Sequence, residues 1–132
     1  MNRLASLVVL GLVLAGPAAA QKVYGPGGTT IYPIDGAVFE VVGPPSDKTM
    51  WCGAAKYARQ AKVGWKTPIV VVRAPEASAL EDGRRQGTRF TVAPQAAGVT
   101  PTGEGRSLSP GTWQTVSIAN RNCVRLDNPS DR

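Results

Sequence analysis

The chain has 132 residues, fifteen lysines and arginines against nine acidic residues for a formal charge of +6, two cysteines and no histidine. The missing imidazole excludes Ser-His-Asp and Cys-His catalysis, the usual zinc ligand sets, haem attachment through C-x-x-C-H and proton shuttling by histidine near neutral pH. Two distant cysteines make no C-x-x-C redox pair, no glycine-rich phosphate loop follows a strand, and the length fits one domain.

Met1–Ala20 has the three-part layout of a secretory signal: Arg3, an apolar run over Leu4–Ala15, then small residues over Gly16–Ala20. The run is short of the roughly 20 residues that a membrane-crossing helix needs. Ala18 and Ala20 supply the small side chains of a cleavage site, so the exported chain is expected to begin at Gln21, periplasmic or secreted, with no transmembrane segment left. No cysteine follows the apolar run, which argues against a lipid anchor. In an oxidising compartment Cys52 and Cys123 are expected to pair, and closing a loop of about 70 residues stabilises a fold by about 4 kcal/mol on the chain-entropy model. The alternative for Cys52 is a thiolate favoured by Lys56 and Arg59, but the chain offers no histidine base to work with it.

Residues 21–36 read as an extended arm rich in glycine and proline. Ala37–Val42 predicts a strand with Ala37, Phe39 and Val41 on one face and Glu40 on the other. Ser46 or Asp47 caps a helix over Lys48–Lys62, whose apolar arc of Met50, Trp51, Ala54, Ala55, Tyr57, Ala58 and Ala61 leaves Cys52, Lys56 and Arg59 outside it. Ile69–Arg73 predicts a central strand, Pro75–Asp82 a helical turn, and Thr88–Val92 a strand with Phe90 and Val92 inward and Arg89 outward. Pro94–Gly111 predicts a long loop, followed by strands over Thr112–Ile118 and Cys123–Leu126 and a flexible tail over Asn128–Arg132. The resulting fold class is α+β: one domain over residues 37–127, with about five strands in an antiparallel or mixed sheet, one main amphipathic helix and one disulfide.

No residue is assigned a catalytic role, and no cofactor or metal site is expected. Arg73, Arg84, Arg85 and Arg89 are expected to converge on one sheet edge, with Arg106 in the nearby loop, and arginine forks bind carboxylate, phosphate and sulfate groups. Such an edge suits an anionic envelope component or a periplasmic protein; scattered charges that merely solubilise the chain are the plainer alternative. Nucleic acid is not expected, since Trp51 and Tyr57 read as core. Trp113 is either buried or presented as an aromatic anchor beside the long loop. The adjacent Glu81 and Asp82 read as a solvated turn, with Glu40 or Asp35 as partners only in a carboxylate hydrolase acting on cell-wall glycans. An inhibitor or assembly factor using Pro94–Gly111 is a third possibility.

The set Phe39-Glu40-Val41-Val42-Gly43, Trp51-Cys52-Gly53-Ala54-Ala55, Tyr57-Ala58-Arg59, Trp65, Gly83-Arg84-Arg85 and Phe90-Thr91-Val92-x-Pro94 resembles small exported bacterial proteins of alphaproteobacterial type. The resemblance covers about Phe39–Pro94 and implies a periplasmic or secreted setting; the family has no assigned activity, and the resemblance implies no catalytic residues. The leading expectation is a noncatalytic binding domain with a basic surface.

Overall fold

The computed structural model describes residues 21–124. The expected signal segment Met1–Ala20, the tail at Asn128–Arg132 and the second half of the strand expected over Cys123–Leu126 lie outside the described residues. Seven strands form: β1 (Val23–Tyr24), β2 (Thr30–Pro33), β3 (Val38–Gly43), β4 (Pro68–Ala77), β5 (Gln86–Thr91), β6 (Gly103–Glu104) and β7 (Thr112–Thr115). Three helices accompany them, α1 (Asp47–Gln60), α2 (Pro94–Ala97) and α3 (Val116–Asn120). The strands make one sheet in the order β1-β2-β3-β5-β4-β7-β6. Every pairing is antiparallel except β6 with β7, so the fold is α+β with a mixed sheet.

Helix α1 starts where Ser46 Oγ accepts the Thr49 amide and lays Met50, Trp51, Ala54, Ala55 and Ala58 onto the sheet, all fully buried. Small side chains let the helix come close. At Gly53 a Cβ would lie 2.6 Å from Val41 Cγ1, so only glycine fits at that crossing. Opposing it are Ile31, Phe39, Val41, Ile69, Val71 and Phe90, one face of the four central strands. Tyr57 stacks on Phe39 at 4.1 Å and Trp51 tilts against Phe90 at 5.2 Å. The Trp51 indole N–H, which burial would otherwise leave unpaired, donates to the Arg106 carbonyl at 2.9 Å.

Several elements differ from expectation. The arm over residues 21–36 contains β1 and β2, which pair with each other, and β2 pairs in turn with β3 through Ile31–Val41 and Tyr32–Glu40; its glycines make the turn between the two strands. Pro75 lies within β4, and the helical turn comes later, at Ala79–Glu81, capped by Ser78. The expected long loop holds α2 and β6. The strand expected over Thr112–Ile118 stops at Thr115, whose side chain accepts the Ile118 amide and starts α3 instead; Cys123 lies in a 3-10 turn. The alternation Val116-Ser117-Ile118 mimicked a strand because a five-residue helix is too short to reveal its period. The Cys52–Cys123 disulfide forms, and it joins α1 to this C-terminal helical segment where a strand pair was expected. Cys52, outside the predicted apolar arc, is fully buried because α3 covers that side of α1.

Candidate interaction surfaces

The face of the sheet away from α1 carries most of the arginines named from sequence. Regular alternation puts Arg73 on the same side as Ile69 and Val71, under the helix. A bulge prevents this: Val71 pairs with Phe90 and Arg73 with Arg89, the very next residue, so the extra residue Val72 turns Arg73 to the helix-free face. There Glu40 stands across from Arg89 in register. Arg73 Nη2 donates to Glu40 Oε1 at 2.7 Å, Arg89 Nε donates to the same oxygen at 2.9 Å, and Ser78 Oγ donates to Oε2. Glu40 is 1% exposed, and Gly87 makes the space for it, since a Cβ there would lie 2.6 Å from Oε2. Burial alone would raise the Glu40 carboxyl, but the hydrogen bonds from Ser78 and Arg89 and the charges of both arginines outweigh it and hold the pKa below the usual glutamate value.

A second clamp lies beside it. Arg85 Nε and Nη2 donate to the two oxygens of Glu81 at 2.7 and 2.9 Å, and Tyr32 adds its hydroxyl at 3.0 Å. The Arg85 hydrogen bonds hold the Glu81 carboxyl low and outweigh its partial desolvation, with Tyr32 assisting. Arg85 also reaches the Gly28 carbonyl and Thr30 Oγ1, tying the β1–β2 turn to the Ala79–Glu81 turn. Arg84 is 81% exposed, with Asp82 no nearer than 3.9 Å. It rims a groove of about 320 Å³ that Lys22, Tyr24, Tyr32, Glu81 and Asp82 also line. Arg106 is elsewhere: its carbonyl sits on Trp51 and its guanidinium 3.7 Å from Asp47, at the start of α1. Trp113, opposite Val70, is half-buried on the helix-free face. The structure therefore gathers Arg73 with Arg89 and Arg84 with Arg85, and leaves Arg106 apart.

A different basic surface lies at the C-terminal end of α1. The helix closes with Lys62 N–H on the Arg59 carbonyl and Val63 N–H on the Ala58 carbonyl, the reciprocal bonds of a Schellman cap. Lys62 occupies the left-handed position of that cap, φ 59°, which glycine usually fills. Trp65 follows, 52% exposed, with the Arg59 guanidinium 5.4 Å from its ring centroid. Arg59, Lys62, Val63, Gly64 and Trp65 line a shallow depression of about 320 Å³. Arg59 also bonds Asn120, which brings the exposed Arg121 to this end, and Ser117 N–H donates to the Trp65 carbonyl. Lys56, one turn before Arg59, and Lys66, next to Trp65, complete the set. Among the described residues no carboxylate lies within ion-pair distance of Lys56, Arg59, Lys62, Lys66 or Arg121, whereas all five arginines named from sequence have one within 4 Å.

Comparisons of the chain with protein-family models, curated proteins and solved structures gave no match. Among the described residues no three acidic or cysteine side chains gather in a way that could hold a metal ion. The Trp65 surface was not singled out from sequence. Its signal was there, four cations over residues 56–66 with no acid between Asp47 and Glu76, but an amphipathic helix makes such a run look like an ordinary solvated face.

Proposed function

We propose that this chain is an exported, noncatalytic interaction domain that meets an anionic partner in the cell envelope through its basic surface, and that the meeting surface is the Trp65 end. The observation that carries this reading is the sorting of charge. On the sheet face Arg73 and Arg89 are paired with Glu40 and Arg85 with Glu81, while the cations around Trp65 have no acidic partner among the described residues. Uncompensated charge is what attracts a partner of opposite sign from a distance. A carboxylate hydrolase is the less favoured alternative, because Glu40 and Glu81 each accept hydrogen bonds on both oxygens and are held ionised, the wrong state for a general acid.

The test is retention of the disulfide-bonded chain on a panel of anionic envelope components: acidic glycans, anionic lipid vesicles and envelope proteins. Retention by at least one of them, lost in the Lys62→Gln/Lys66→Gln variant, is the expected result. Binding to none, or binding that this variant leaves unchanged, overturns the proposal.

A further inference from the structure

We infer that the partner of the Trp65 surface is the headgroup layer of an anionic phospholipid membrane, on which the protein docks peripherally; this rests on the reading above that the surface meets an anionic partner. Three observations converge on it. The first is the type of cation. Three of the five cations at this end, Lys56, Lys62 and Lys66, are point charges on long flexible stems, suited to a diffuse negative surface, whereas on the sheet face the forks of Arg73, Arg85 and Arg89 are engaged by Glu40 and Glu81. The second is Trp65, a large exposed ring that lines the same depression as Lys62, with Arg59 against it. An indole with an apolar body and one polar N–H is the side chain that settles at the boundary between headgroups and acyl chains, and lysine stems extend from that depth into the polar layer.

The third is Lys62 itself. A residue with a Cβ in the left-handed conformation costs about 1 kcal/mol relative to glycine, yet the cap places a lysine there, projecting from the corner where α1 turns toward Trp65. The charge is kept at a site where the fold alone favours glycine. Among the described residues no helix is long and apolar enough to cross a bilayer. The depression between Arg59, Lys62 and Trp65 is of a size to take a headgroup phosphate or glycerol, with acidic lipids bound by many weak contacts.

The experiment is cosedimentation of the processed, disulfide-bonded chain with vesicles of pure phosphatidylcholine and with vesicles containing phosphatidylglycerol, across a salt series. Binding only to the phosphatidylglycerol vesicles, falling with salt, is expected. Each lysine removed should weaken it about fivefold, so Lys62→Gly loses about fivefold and Lys62→Gly/Lys66→Gln about 25-fold. Lys62→Gly separates the roles, because it relieves the cap and leaves the melting temperature unchanged or higher while binding falls. The charge-matched Lys48→Glu, on the first turn of α1, should leave docking within about twofold. Tryptophan emission should shift to the blue on vesicle binding, and the shift should be absent in Trp65→Phe. No preference for phosphatidylglycerol, or undiminished binding by Lys62→Gly/Lys66→Gln, overturns the inference. Retention on an acidic glycan or protein through the same lysines, without vesicle binding, overturns it and leaves the proposed function standing. Binding to neither kind of partner removes both.

Discussion

On the helix-free face of the sheet, Arg73 and Arg89 stand 2.7 and 2.9 Å from a carboxylate that is 1% exposed. At the end of α1, Lys62 and Lys66 are exposed beside a half-exposed indole, with no carboxylate within ion-pair reach among the described residues. The two regions carry the same sign of charge and do different work. In the first, charge is structural: it satisfies a buried anion, fastens the Ser78 turn to β3 and has little field left to offer. In the second, the lysine charges have no acidic partner among the described residues, and their field is open to solution. Basic residues counted along a sequence do not distinguish these cases; their acidic neighbours in space do.

The difference can be broken from either side. The largest effect concerns the covalent tie that fixes α1 beside α3. Replacing both Cys52 and Cys123 by serine is expected to cost about 4 kcal/mol for a loop of this length, read as a lower midpoint in denaturant, with two reactive thiols appearing in the singly reduced parent and none in the oxidised one. Next is the buried anion. Glu40→Ala leaves Arg73 and Arg89 facing each other without it, and a cost of about 3 kcal/mol is expected, at the low end for a broken buried pair because both arginines are partly solvated. Gly87→Ala should lose about 2 kcal/mol by pressing on the same carboxylate, and a thermal melt no different from the parent would show that the clamp is looser than the geometry.

The pH dependence follows the same line. Glu40 and Glu81 have folded pKa values below the ordinary glutamate value of 4.5, so the unfolded chain binds more protons as acid is added. Their contribution to stability is complete above about pH 4.5 and disappears as pH falls through the lowered folded values. Glu40→Gln should flatten that acid limb, while Lys62→Gln/Lys66→Gln should leave its slope unchanged. The smallest effects belong to the helix end. Lys62→Gln/Lys66→Gln should alter stability by less than about 0.5 kcal/mol, as exposed charges do, and Lys62→Gly should raise it by up to about 1 kcal/mol. A large loss in either would mean that these lysines are structural after all.

Much of this was legible in the chain. The alternation around Phe39, Glu40 and Val41 placed β3 and both its faces, and the Ser46 cap with its alanine-rich arc placed α1. The pairing of Cys52 with Cys123 followed from the expected compartment and the count. What escaped had identifiable causes. β1 and β2 were hidden because four glycines and prolines within Gly25–Gly28 look like an unstructured arm, when they build the turn of a hairpin. The orientation of Arg73 depends on a bulge, and a bulge adds one residue to a strand without any residue type that announces it. The role of Glu40 escaped for a related reason: its three donors come from positions 73, 78 and 89, a coincidence that only tertiary structure creates. Of the surface itself, the positive charge was legible and its location was not.

Among the described residues the sheet ends on both sides in strands of two residues, β1 and β6, the second made of Gly103 and Glu104. A neighbouring molecule finds little exposed backbone there to continue the ladder. Crowded at a high local concentration, copies of this protein therefore have a poor template for growing into one another as an extended sheet. Whatever density they reach, the contacts between them are left to side chains.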